Sequence, residues 1–408
     1  MFSIYRKNQG YAILLCVLFA FILGIMTPSI FKHLIFISDT FINLLKFCSL
    51  PIILTSLVVT IGTLVEPIQL KNIAKNSIIY IIISEILAVT IGLLIFNLID
   101  ISSGTNYKFL LNQSTEAVIH TNDSIDINQI FNYIFTSNIF SSLVKYDVLP
   151  IVVCSIMLGI TCALNPKSAK PMLDLFISIR QIFLSLLSGI MLIAPVAIFV
   201  LIGDNVANSY QNGALMVNLI VLLKFVGLFF LGLFLHFLWQ IMLVLYLYRN
   251  LSLKIILTEA VPIFITAFIS SSSLATLPIA MNKAEQLGGN KKVVEFMLPV
   301  CASMNFASGM MYEVAATLFF LHVMHINPDL IQQIMLAIVC ILTGIAVGGI
   351  PETSMVSFVT VFNMAGVPLA AISILMPLDR IVDRVRTMVN IFGNTCGTLA
   401  VSKTKINK

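Results

Sequence analysis

The sequence predicts an all-α polytopic membrane protein, on three observations. Of its 408 residues 59% are hydrophobic and only 10% are charged, against roughly 25% charged in soluble domains. Apolar runs long enough to cross a bilayer, which takes about 20 residues per helix, recur from Tyr11 to the C-terminus with short polar breaks. Most of the basic residues sit in those breaks and favour one side, as loops held on one face of a membrane do. One membrane domain uses nearly the whole chain.

The net charge of +5 does not mark a nucleic-acid partner, because the basic residues are spread over short loops and form no continuous face. The apolar stretch after Arg6 and Lys7 runs on to Phe31, longer than a signal-peptide core, and reads as the first span. Seven cysteines, at 16, 48, 154, 162, 301, 340 and 396, stand singly inside apolar segments with no C-x-x-C spacing. They read as small buried hydrophobes rather than disulfides or metal ligands.

Taken in order, spans are expected near 11–31, 40–64, 76–99, 147–164, 173–202 and 214–248. With Arg6 and Lys7 inside, that count puts Lys71, Lys75, Lys167, Lys170, Arg249 and Lys254 on the cytoplasmic face, followed by Lys283, Lys291, Lys292 and the tail from Lys403 to Lys408. The longest outer loop, 101–146, and its border carry Asp100, Glu116, Asp123 and Asp126 against Lys108 and Lys145.

The second half does not read as simple spans. Residues 255–281 are broken by Ser270 to Ser273 and then Pro278, and 331–366 by Gly344 and Gly348-Gly349-Ile350-Pro351. Such runs at membrane depth leave backbone amides that lipid cannot satisfy, so they are tolerated only under protein or beside water. Two breaks in corresponding places point to a binding site. Re-entrant hairpins keep Lys254 and Lys283 on one side and leave the loop from His322 to Asp329 outside; kinked ordinary spans are the other reading.

The segment from Leu378 to Asn390 carries five charges in an apolar neighbourhood, each costly there. At about 100° per residue, Asp379, Asp383, Arg386, Thr387, Asn390 and Asn394 fall at roughly 0, 40, −20, 80, 20 and 60°, one stripe on one helix. A self-neutralising salt network is one reading, for Asp379 with Arg380 above all. A site for a zwitterion is the other. Arg386 offers a planar fork to a carboxylate, Asp383 an anion to an ammonium group, and Asn390 amide donors to a second carboxylate. Those three groups fit glutamate or aspartate.

These residues resemble a known family. Ser271-Ser272-Ser273-Leu274-Ala275-Thr276-Leu277-Pro278, the Gly348-Gly349-Ile350-Pro351 tip, Tyr312-Glu313, and Asp383-Arg384-Val385-Arg386-Thr387-Met388-Val389-Asn390 resemble the dicarboxylate/amino acid:cation symporters, the glutamate transporter homologues, over essentially the full chain. The resemblance implies eight transmembrane helices, two re-entrant helical hairpins, a homotrimer and an elevator mechanism. It implies that 1–254 is mainly trimerisation scaffold, with the third and sixth spans moving with a transport core at 255–402, and that 403–408 is a cytoplasmic tail. Both termini are then cytoplasmic and the membrane is the cell's inner membrane.

By the same resemblance Arg386 holds the substrate's side-chain carboxylate, Asp383 its amino group, and Asn390 with the backbone near Ser272 and Ser273 its α-carboxylate. Thr387 and the Ile350 tip line the pocket, and Arg384 supplies the nearby guanidinium that some members carry at the Ser271 position instead. Glu313 resembles the proton-carrying glutamate of the animal transporters. Tyr80, Ser84, Asn305, Asn390 and Asn394 are the expected cation-coupling residues. No tightly bound cofactor is expected; the coupling cation, H⁺ or Na⁺, is cargo.

The departures concern sodium. An Asn-Met-Asp-Gly-Thr run is replaced by Asn305-Phe306-Ala307-Ser308-Gly309, a second aspartate by Asn394, and a threonine by Ile83. Two charges near bound Na⁺ are gone, which leaves at most a weak site at Asn305, Asn390 and Asn394 and favours H⁺. Glu85 is either a second proton site or a scaffold-facing acid, and Glu352 stands where the family has small residues. A C4-dicarboxylate has no ammonium group to meet Asp383, so it is the rival substrate. An anion channel is more remote, since channels use rings of like charge. An enzyme would need a nucleophile and base or a metal set, and His236 is isolated while His322 and His325 lie in a loop.

Overall fold

The computed structural model describes residues 15–63, 71–99, 136–145, 148–213, 215–249, 251–347 and 354–406. These are helical nearly throughout. The chain runs as α1 (Leu15–Met26), α2 (Pro28–Gly62), α3 (Lys71–Leu98), α4 (Ile139–Lys145), α5 (Val148–Leu164), α6 (Pro166–Ile190), α7 (Ala194–Gln211) and α8 (Leu215–Leu247). The second half continues with α9 (Leu253–Ser270), α10 (Ser273–Gln286), α11 (Lys291–Met304), α12 (Ala307–Val323), α13 (Leu330–Val347), α14 (Ser354–Ala365) and α15 (Ala371–Ile406). Among the described residues, six segments are long and apolar enough to cross a membrane: α2, nearly all of α3, α6, α8, α9, and α11 with α12 taken together.

Two expected boundaries differ. The break between the first two spans falls at Thr27, where Pro28 opens α2, and the helix then runs through 32–39. Proline suits a first helical position because its missing N–H has no partner there anyway, and Lys32, His33 and Asp39 all lie at exposed positions within the helix. The run 173–202 is two helices, not one span. The chain turns over 191–193 and restarts as α7 with Pro195 in its first turn.

Burial follows side-chain chemistry. The exposed isoleucines of α3, Ile78, Ile79, Ile82, Ile83 and Ile86, recur at helical spacing on one face. Residues 307–321 of α12, apolar nearly all round, are buried without exception, as a helix enclosed by others must be. α2 packs on α5, α6 and α7, whereas α15 packs on α8 to α12, and α12 packs closely on α3.

α9 and α10 form a hairpin. Glu259 and Lys283, equidistant in sequence from Ser271, meet at 2.7 Å, which antiparallel arms require. Ser271 turns the chain with a left-handed φ of 50°, and Ser252 and Ser272 cap the two arms by accepting from the Ile255 and Ala275 amides. α13 and α14 pack side by side as a second pair. Its tip, with Gly348, Gly349, Ile350, Pro351 and Glu352, lies outside the described residues, as do Arg6, Lys7, most of the 101–146 loop and the end of the tail.

Candidate functional site

The stripe on α15 is buried in the interior of the fold. Arg386 is fully buried, and its Nη2 donates to Asp379 Oδ1 at 2.8 Å, Asp383 Oδ1 at 3.0 Å and Ser354 Oγ at 3.0 Å. The first two partners lie one and two turns back on the same helix, so the 3.6-residue period brings them together. Asp379 therefore pairs with Arg386; the side chain of Arg380, the partner the sequence suggested, lies outside the described residues. Ser354 comes from the first turn of α14, just after the second hairpin's tip. The guanidinium carbon lies 4.6 Å from the Tyr312 ring centre and 5.9 Å from that of Phe306. Among the described residues its Nε and Nη1 have no hydrogen-bond partner.

That combination carries the chemistry. Two carboxylates meet one nitrogen, while the rest of a rigid five-donor fork stays buried and unused. A carboxylate reaching those donors would be bound by charge-assisted hydrogen bonds away from water, where they are strongest.

Around this centre the other expected residues fall into separate groups. Thr387 donates to the Asp383 carbonyl at 2.8 Å, and Arg384 Nη1 donates to the Phe268 carbonyl at 2.8 Å with its carbon 5.6 Å from the Phe268 ring. Arg384 thus ties α15 to the first hairpin just before its tip. Ser272 and Ser273 lie at that tip, where the Ser272 hydroxyl serves its own helix. Asn390 Oδ1 accepts from the Ser308 amide at 3.0 Å and the Ser308 hydroxyl at 2.6 Å.

The chain opens between α11 and α12 at Asn305 and Phe306. Asn305 Nδ2 donates to Asn394 Oδ1 at 2.7 Å, leaving Asn305 Oδ1 and Asn394 Nδ2 unpartnered. Tyr80 donates to the Gly393 carbonyl at 2.6 Å. Ser84 and Glu85 are buried beside it. Glu85 faces the inner junction, towards the Phe306 amide and Cys301. Glu313 lies elsewhere on α12, with Thr343 Oγ1 of α13 3.1 Å from Oε2 and the Ser357 hydroxyl of α14 also beside its carboxyl.

Sequence reasoning missed Ser308, Ser354 and Thr343, because each meets its partner across a long loop of chain and no spacing rule links them. It also set aside His236, which stacks on Trp239 at 5.6 Å and pairs through Nδ1 with Gln240 at 3.2 Å. Their spacing on α8 was readable, but the Tyr80 ring stacked on Trp239 at 6.2 Å was not.

Buried charges of both signs inside a membrane protein mark a candidate site for a small ionic solute. The chain belongs to the sodium:dicarboxylate symporter family, whose model matches residues 10–404. It is 28% identical over 392 residues to a proton/sodium-glutamate symport protein of Geobacillus stearothermophilus, covering 94% of this chain and 92% of that one. It is 26% identical to a proton/glutamate-aspartate symporter of Bacillus subtilis, over 98% and 95% of the two chains. It is also 25% identical to a C4-dicarboxylate transport protein of Bacillus subtilis, over 98% and 94%. The family and these relatives are transporters, not enzymes, and the family and the two glutamate symporters are named for a coupling cation.

Proposed function

We propose that the protein is a secondary active symporter of glutamate and aspartate, driven by H⁺ in preference to Na⁺. The observation that carries this reading is Arg386 buried against Asp383, with Nε and Nη1 unspent among the described residues. An acidic amino acid brings a carboxylate for the guanidinium and an ammonium group for Asp383, so both protein charges stay matched when it binds. A C4-dicarboxylate would leave Asp383 facing an anion, and the relatives named for C4-dicarboxylates make it the reading to test against. Asp383→Ser should shift preference from aspartate towards succinate; wild-type protein that already prefers succinate reverses the assignment.

Two observations favour the proton. Of the side-chain oxygens expected for a weak sodium site, Asn394 Oδ1 and Asn390 Oδ1 already accept hydrogen bonds, which leaves Asn305 Oδ1. Sodium needs several oxygens, and Ala307 supplies none from its side chain. At Glu313, the single proton of the Thr343 hydroxyl is shared between the Val339 carbonyl at 2.8 Å and Glu313 Oε2 at 3.1 Å. A proton on Glu313 completes the pair, so Glu313 is the proposed carrier.

The mechanism proposed is an elevator within a homotrimer in the cell's inner membrane, both termini cytoplasmic, with α9 to α15 moving together with α3 and α8 against a scaffold around α2. The packing of α3 on α12 and of α8 on α15 supports that division. Uptake of labelled aspartate by proteoliposomes under separately imposed sodium and pH gradients tests the coupling. Accumulation driven by the inward pH gradient without sodium is expected; a requirement for sodium with indifference to pH overturns it.

A further inference from the structure

Away from the α15 stripe, a cleft of about 920 Å³ lies between α3, α8 and the last turns of α15. Its lining changes character along α3. Asn72, Lys75 and Asn76 form one end, and Ile79 and Ile83 lead to the other, where Trp239 and Leu243 of α8 face them. From Asn72 to Ile83 the lining extends about 16 Å at 1.5 Å per residue. One leaflet of a bilayer has a hydrocarbon depth of about 15 Å, half of the roughly 30 Å core. Polar groups over one leaflet's depth of apolar wall match the outline of a single lipid.

Charge identifies the kind of lipid. Lys75 is exposed at the polar end, Lys403 stands two residues beyond the lining residue Val401 with its Nζ 5.0 Å from the Tyr248 ring, and Arg249 follows the nearby end of α8. Among the described lining residues none is acidic. Basic groups between helices at this depth select anionic headgroups. A soluble anion would have no use for the apolar length, and a neutral lipid none for the basic end.

We propose that this cleft seats one anionic phospholipid of the leaflet on the Lys75 side. Its phosphate is held by the Lys75 ammonium and the Asn72 and Asn76 amides, and one acyl chain lies along Ile79, Ile83 and Leu243 towards the Trp239 ring. The seat adjoins the cation region. Tyr80 is both a wall of the cleft and the donor to the Gly393 carbonyl, one residue from Asn394. A seated lipid therefore braces α3 against the glycine-bearing part of α15.

The test uses the full chain, purified and exchanged with phosphatidylglycerol or phosphatidylcholine of the same acyl chains, with retained lipid weighed by native mass spectrometry. Wild type should keep one phosphatidylglycerol about fivefold more tightly than phosphatidylcholine. Lys75→Gln should abolish that preference, and Leu243→Trp, which fills the cleft, should release both lipids. Equal retention of the two lipids by wild type, or unchanged phosphatidylglycerol retention in Lys75→Gln, overturns the proposal. So does loss of an oligomer in Leu243→Trp with no change in lipid, which assigns the cleft to a second copy of the chain. Should Leu243→Trp fail to fold, the exposed Lys75→Gln variant decides alone.

Discussion

Between Asp379 and Arg386 the charges on α15 are matched within the helix, one guanidinium nitrogen meeting two carboxylates at 2.8 and 3.0 Å. Between Asn390 and Gly397 the same face depends on other elements: Ser308 of α12, Asn305 at the α11–α12 break and Tyr80 of α3. In the first region helical spacing sets the Asp379–Arg386–Asp383 pairing, and Ser354 of α14 adds one bond from outside the helix. The second exists only while several elements are assembled. A local, preorganised site suits solute recognition, and an assembled one suits a step that must sense whether the surrounding elements are closed.

The largest effect separating the two regions is expected from Arg386→Cys. It removes the carboxylate fork and takes from buried Asp379 and half-buried Asp383 their shared cation, at a cost of about 3–5 kcal/mol. Aspartate uptake should fall by about a hundredfold to a few thousandfold, while uptake of a neutral amino acid remains or appears. Undiminished aspartate uptake would remove Arg386 from the site.

Glu313→Gln should abolish pH-driven accumulation yet leave exchange of labelled for unlabelled aspartate across the membrane. Both activities measured in the same vesicles give the answer. Equal loss of both would make Glu313 a structural residue rather than a proton carrier.

Ala307→Asp combined with Asn394→Asp tests the assembled region from the other side. A unit charge pair at 4 Å is worth on the order of 4 kcal/mol at an effective dielectric of 20, so two restored carboxylates should create sodium-stimulated uptake that wild type lacks. Sodium stimulation already present in wild type and unchanged in the variant would contradict the proton reading.

The smallest effect is steric. A Cβ at Gly397 would stand 2.1 Å from the Tyr80 ring, so Gly397→Ala should displace the tyrosine and cost about 1–3 kcal/mol, typical of overpacking. Thermal unfolding in detergent should shift down by a few degrees. Equilibrium aspartate binding should weaken less than in Arg386→Cys, since the charged half of α15 is not touched.

Sequence alone determined what repeats at short range. The apolar runs fixed a helical membrane protein, the period of 3.6 put Asp379, Asp383 and Arg386 on one face, and the serine run marked the turn at Ser271. Those features depend on neighbours a few residues apart, which a linear reading contains. Tertiary structure decided the rest. It set Ser354 against Arg386, Ser308 against Asn390 and Thr343 against Glu313, and it turned Glu85 towards the α11–α12 junction. Each depends on which helices pack together and at what depth. The energy of burying unpaired polar groups chooses that packing over the whole molecule, and no local spacing encodes it.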